Sequence, residues 1–173
     1  MKIRTRMCLS VDGYVATPDG RPAQLADPAW SPGAYGFREF QASCNAVLMG
    51  RTTFEPALAA DTWPWAGLDV FVLGSHRPVG TPDYVVVDGD PVRLLGKVRA
   101  ANRGGDVHLV GGPRTIEAFR QLDALDLLGL IVVPVLLGGG LQLTPSLGVD
   151  ARLTLDTERR LPTGAVEIVY ACG

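Results

Sequence analysis

The sequence predicts an α/β fold: a mostly parallel central sheet flanked by helices, with an antiparallel C-terminal edge. Three observations carry this. Short runs rich in Val, Leu and Phe recur between turn residues, helical stretches separate them, and the last two runs alternate in polarity around a turn containing Pro162 and Gly164. Strand, helix, strand in repetition needs crossovers, and crossovers give parallel strands covered on both faces.

Taken in order, Ile3 to Val11 mixes apolar and Arg positions as a strand does. Ala46 to Met49, Val70 to Leu73, Tyr84 to Val87, Val107 to Val110 and Leu130 to Val135 read as buried strands. Tyr35 to Ser43, Phe54 to Ala60, Pro91 to Ala101 and Arg114 to Leu122 read as the intervening helices. Arg152 to Asp156 and Ala165 to Tyr170 form the closing antiparallel pair, joined through Arg159 to Gly164. Thr17 to Gly36 is one long irregular stretch containing Pro18, Gly20, Pro22, Pro28, Pro32 and Gly33, with Trp30, Tyr35 and Phe37 at its end. Such a loop in a small domain is either an active-site lid or a plain surface loop, and the aromatic residues favour the lid.

The 173 residues suit a single domain, 1–173, with no linker or repeat. Apolar residues make up 47%, and 16 Lys and Arg against 18 Asp and Glu leave a charge of −2, so nucleic acid is not an expected partner. All the basic side chains except Lys2 and Lys97 are arginines, whose planar forks suit phosphate. Cys8, Cys44 and Cys172 form no CxxC pair, and with only His76 and His108 no metal site is expected. The segment after Met7 contains Asp12 and Gly13, unlike a signal peptide, and the apolar run Leu127 to Gly140 is broken by Gly129 and Pro134. A cytoplasmic protein with no membrane partner is the expectation.

Three strand-to-helix or strand-to-turn corners carry the chemistry. In Met49-Gly50-Arg51-Thr52-Thr53-Phe54-Glu55, Thr52 and Glu55 have the spacing of a capping box, and Arg51 lies beside the helix N-terminus, where amides and dipole attract phosphate. An ordinary capped turn explains the same residues equally well. In Val110-Gly111-Gly112-Pro113-Arg114-Thr115, Gly112 fits an N-cap, Pro113 the first helical position, and paired glycines admit a close ligand. Both corners end parallel strands and so share the sheet edge where open α/β folds bind ligands, which favours a diphosphate. Leu73-Gly74-Ser75-His76-Arg77 sets a hydroxyl near a guanidinium, suiting a phosphomonoester or simply closing a polar turn. GxGxxG, P-loop and GxSxG motifs are absent, and His108 reads as a strand residue.

These corners, with Ser10-Val11-Asp12-Gly13-Tyr14 after the first strand, resemble the dihydrofolate reductase superfamily. With Pro134-Val135-Leu136-Leu137-Gly138-Gly139-Gly140 the chain looks like stand-alone relatives of the reductase domain of the bifunctional riboflavin-biosynthesis deaminase/reductase, from about Met1 to Cys172. The resemblance implies an eight-stranded sheet and NADPH across its carboxyl edge. Gly50, Arg51, Thr52 and Thr53, with Gly111, Gly112, Pro113, Arg114 and Thr115, would hold the diphosphate; Ser75 and Arg77 would meet the 2′-phosphate, and Leu73 and Val110 would also border the cofactor. Backbone near Cys8, with Val15, would receive the nicotinamide, and Tyr14, Trp30 and Phe37 would line the substrate side. A cis bond is implied at Gly111-Gly112, and a homodimer through the sheet is compatible with Leu130 to Leu137, as is a core strand.

Two departures narrow the expectation. Pro32 to Phe37 lacks the acid that folate reductases carry at the first helix, with Asp27 and Glu39 out of register, and no HxE or PCxxC deaminase signature is present. The leading expectation is an NADPH-dependent reductase of a small pterin-like, pyrimidine or ribosylaminopyrimidine substrate. A non-catalytic NADPH-binding module and a true dihydrofolate reductase are the rivals. No proton donor is assigned, because Asp12 before Gly13 reads as a turn residue.

Overall fold

Hydrogen bonding organises eight strands into one sheet: β1 (Ile3–Ser10), β3 (Cys44–Gly50), β4 (Asp69–Leu73), β5 (Val86–Asp88), β6 (Asp106–Gly111), β7 (Leu127–Val133), β9 (Thr154–Arg160) and β10 (Val166–Ala171). Their order across the sheet is β5-β4-β3-β6-β1-β7-β10-β9. β2 (Tyr14–Ala16) and β8 (Leu141–Gln142) form a separate antiparallel ribbon. The helices are α1 (Phe37–Ala42), α2 (Arg51–Phe54), α3 (Pro91–Ala101) and α4 (Pro113–Gln121). The computed structural model describes residues 1–31, 33–143 and 152–173; Pro32, within the expected lid and the stretch compared with folate reductases, lies outside them.

From β5 to β7 all neighbouring strands run parallel, whereas β10 is antiparallel to both β7 and β9. This is the expected parallel sheet with an antiparallel edge. Ala46 and Leu48 of β3 pack into a core with Leu94, Val98, Ile116 and Phe119 of α3 and α4. Val47 and Met49 pack on the other face with Phe54 and Trp65. Both faces being covered, β3 shows a continuous apolar run rather than alternation.

Several boundaries move for local reasons. α3 begins where Asp90 accepts the amides of Val92 and Arg93 and Pro91 follows. α1 starts only at Phe37, after Gly36 in the left-handed region (φ 64°). The capping box at Thr52 and Glu55 does not form. The helix starts at Arg51 with Gly50 as its cap, and the Glu55 carboxylate takes the Arg51 guanidinium at 2.6 Å; Pro56 then helps turn the chain into a 3₁₀ stretch, Glu55–Ala59. β7 ends before Pro134 and is flanked by β1 and β10, with Ile131 and Val133 buried, as a core strand. The C-terminal hairpin turns later than expected, Leu161 donating to the Ala165 carbonyl.

One buried ion pair ties the first strand to the last. Arg6 of β1 donates to Glu167 of β10 at 2.5 Å and to the Gly36 carbonyl at 2.6 Å, and its guanidinium lies over Phe37 and Phe40. Arg159 of β9 also bonds Glu167. The Arg6 side chain is 3% exposed. Nearby, His108 packs edge-on against Phe40, and burial, with Arg4 beside it, pushes its pKa down to about 4. Breaking a buried pair strands the surviving charge, so Glu167→Ala is expected to cost about 3–5 kcal/mol in urea unfolding. Arg6→Met/Glu167→Leu should recover most of it; an equally unstable double variant would show that the pair's charge is not the issue.

Candidate functional site

The carboxyl rim is assembled by strand register. Gly50 of β3 pairs with Leu73 of β4, and Met49 pairs with Gly111 of β6, so the three corners predicted from the sequence end level. Their closeness shows in what side chains would meet. A Cβ on Gly50 would sit 2.5 Å from the Thr115 hydroxyl, one on Gly112 would lie 3.7 Å from the Thr53 hydroxyl, and one on Gly74 would lie 3.1 Å from the Arg51 Cβ. The starts of α2 and α4 therefore converge, and at Gly50 any side chain would collide with Thr115. Gly111 has φ +132° and is joined to Gly112 by a cis peptide, as the resemblance implied; Gly112 caps α4 and Pro113 opens it.

Gly50, Arg51, Thr53, Gly112 and Thr115 are thus brought together. Thr52 and Arg114 are exposed beside them, Pro113 is buried, and Leu73 and Val110 are half-buried at the strand ends. Arg51 is half-buried, its guanidinium on Glu55 and its stem against Gly74, so it bridges two corners. Ser75 and Arg77 line a cleft of about 330 Å³ with His76, Val87, Asp88 and Gly89. Arg77 is not fully free: its fork donates to the carbonyls of Val85 at 2.9 Å and Pro82 at 2.6 Å, fastening the loop after β4.

The other half of the rim lies around β1 and β7. The Cys8 thiol is buried and desolvation pushes its pKa up to about 12, so it is an inert thiol at neutral pH. Val15 is buried and Tyr14 half-buried in β2, which pairs with β8. That pairing needs Gly140, where a Cβ would come within 2.0 Å of the Ala16 carbonyl oxygen. Trp30 and Phe37 pack onto the cluster of Cys8, Tyr35, Ile131 and Val133. Phe37 is also committed beneath Arg6. The expected lid is fastened from within: Tyr35 donates to Asp27 at 2.9 Å, and Asp27 accepts the Ala29 amide.

Asp12 is a clamp, as a turn residue should be. Its carboxylate accepts the amides of Leu137 at 3.1 Å and Gly138 at 2.7 Å, joining the turn after β1 to the loop after β7. The β2–β8 ribbon and the Asp88 surroundings were not among the expected features. Only the Asp88-Gly89-Asp90-Pro91 run, acids just before a helix start, signals the latter. Among the described residues, no group of three or more His, Cys, Asp or Glu is placed to hold a metal ion, and no helix is long and apolar enough to cross a membrane.

This strand order, with its level glycine corners and antiparallel edge, is a dihydrofolate reductase-like α/β fold. The chain belongs to the RibD C-terminal domain family, whose model matches residues 1–166. Among proteins it is similar to the uncharacterized protein YwjB of Bacillus subtilis (strain 168), 25% identical, with 95% of this chain and 94% of that one covered. Among structures, a putative riboflavin biosynthesis protein from Shewanella sp. PV-4 superposes with a TM-score of 0.84 at 25% identity, covering 100% of this chain and 99% of the other. Acinetobacter baumannii RibD superposes at 0.70 and 16% identity, covering 99% of this chain but 58% of that longer one, a likeness of fold.

The Ser10 hydroxyl and the Leu137 and Gly138 amides hold the Asp12 carboxyl down to about 2 from the ordinary 3.8. A depressed folded-state pKa stabilises above the unfolded value and is lost as pH falls through the folded one. Wild type is therefore expected to exceed Asp12→Ala by a constant margin above about pH 4, shrinking toward pH 2. Chemical unfolding at several pH values checks this; a pH-independent margin would remove the carboxylate from the explanation.

Proposed function

We propose that the protein is an NADPH-dependent reductase of a small heterocyclic substrate, of the pyrimidine, pterin or ribosylaminopyrimidine class. The observation that carries this is the convergence of the α2 and α4 starts, so close that a Cβ at Gly50 would strike Thr115. Such a corner would present the Thr53 and Thr115 hydroxyls and the first-turn amides and dipole of α4 to a diphosphate. Gly50 to Thr53 and Gly111 to Thr115 would hold the diphosphate. Ser75 and Arg77 would bind the 2′-phosphate, with Arg77 pre-positioned by its carbonyl contacts. Backbone at Cys8, together with Val15, would seat the nicotinamide, and Tyr14 and Trp30 would bound the substrate. The bound cofactor would supply the hydride. Family membership and the likeness to the Shewanella riboflavin biosynthesis-like protein support the reading.

The chain's own part is positioning and exclusion of water. The Asp12 clamp and the Gly140 contact fix β2 against β8, and the Asp27–Tyr35 bond keeps the segment bearing Trp30 folded over the Cys8 cluster. A second reading, a nicotinamide-nucleotide-binding module without turnover, is favoured by the acids here being engaged: Asp12 on two amides, Asp27 on Tyr35 and Ala29. Calorimetric titration with NADPH, followed by loss of reduced-nicotinamide absorbance with pterins and 5-amino-6-(5-phosphoribosylamino)uracil, separates the two. Tight binding with no turnover would select the module; no binding would overturn both. Gly50→Ala is expected to weaken NADPH at least tenfold while circular dichroism stays unchanged, because the methyl forces α4 away from α2.

A further inference from the structure

The cleft beyond Gly74 contains an acid where phosphate recognition would not put one. Asp88, the last residue of β5, has a side chain only 7% exposed, and four donors cover its carboxylate. The Asp90 amide and Arg93 Nη2 reach Oδ1, each at 2.9 Å; Arg93 Nε at 3.3 Å and Lys97 Nζ at 2.8 Å reach Oδ2. Arg93 and Lys97 belong to α3, and their side chains are 65% and 48% exposed. They reach back from the solvent side to the end of the strand.

Anchoring α3 does not require this arrangement. Asp90 already caps the helix through the amides of Val92 and Arg93, and Leu94, Leu95 and Val98 bury its inner face. A free carboxylate at the end of a parallel strand, beside a glycine turn, is the group that accepts a ribose 2′-hydroxyl and repels a 2′-phosphate. Here it has no free edge. Arg93 also touches Asp90 at 3.2 Å, so the two cations balance two carboxylates and leave Arg77 as the net charge of the cleft.

We propose that Arg93 and Lys97 mask Asp88 and thereby select a 2′-phosphorylated dinucleotide over its unphosphorylated counterpart. This rests on the nicotinamide-nucleotide reading above. Without the two cations the cleft turns net negative, and Asp88 is released to take a 2′-hydroxyl. Arg93 and Lys97 are thus specificity-determining residues that act through Asp88.

The test is calorimetric binding of NADP⁺ and NAD⁺ to the full chain, with no substrate present. Wild type is expected to prefer NADP⁺. Arg93→Ala/Lys97→Ala should lower the NADP⁺/NAD⁺ affinity ratio at least tenfold, with NAD⁺ binding retained or tightened. Adding Asp88→Asn should return part of the lost NADP⁺ affinity, because the carboxylate that the two cations covered is then gone. Lys97→Ala alone, at an exposed side chain, should shift the ratio the same way if the double variant folds poorly. An unchanged ratio with binding intact, or absence of the Asn rescue, overturns the masking role alone. A wild-type chain that binds neither nucleotide overturns the nicotinamide reading and this inference with it.

Discussion

Everything at the carboxyl rim follows from how closely β3 and β6 can end beside one another. Gly50 lies where any Cβ would strike Thr115, and Gly112 lies beside Thr53, so the two helices that leave these strands begin almost in contact. Small residues there let the Thr53 and Thr115 hydroxyls crowd in beside the backbone of the two strand ends. Arg51 then fits across the gap toward Gly74, and the third corner is drawn into the same surface. The register between strands does the aligning, since pairing Gly50 with Leu73 and Met49 with Gly111 brings all three corners level.

Much of this was legible in the residues. Asp90-Pro91 and Gly112-Pro113 state their helix starts in local chemistry, a cap followed by a residue with no amide to lose, and both helices begin where that chemistry puts them. Where a local pattern competed with a tertiary partner it misled. Thr52 and Glu55 have capping-box spacing, yet Glu55 is drawn to Arg51. The β2–β8 ribbon is too short to show a period, and its cause, the approach of Gly140 to the Ala16 carbonyl, spans more than a hundred residues. Arg77 could be singled out as a phosphate-ligand candidate because guanidinium chemistry is visible in sequence; the carbonyls of Pro82 and Val85 that hold it are not.

The two ends of the sheet handle charge differently. At the far edge, β9 exposes all seven of its side chains, among them Asp156, Glu158, Arg159 and Arg160. Charges on such an edge discourage further strands from pairing with it. At the opposite side, β5 ends in Asp88, whose charge is turned inward and neutralised by α3. Between them, Arg6 and Glu167 place an ion pair inside the sheet where hydrophobic residues would pack as well. What the pair adds is register: Glu167 of β10 must reach Arg6 across the intervening β7, and Arg6 also fixes Gly36 and the start of α1.

That pair also imposes an order on assembly. Arg6 and Glu167 are 161 positions apart, so the guanidinium emerges from the ribosome long before its carboxylate exists. Until then the nascent sheet cannot close over β1 without trapping a lone cation, and a contact of such sequence separation is among the slowest to form. Synthesis must therefore reach β10 before the Arg6 guanidinium can meet Glu167. A polypeptide ending short of that strand holds an arginine in β1 whose carboxylate was never made, and its first strand stays the more hydrated for it.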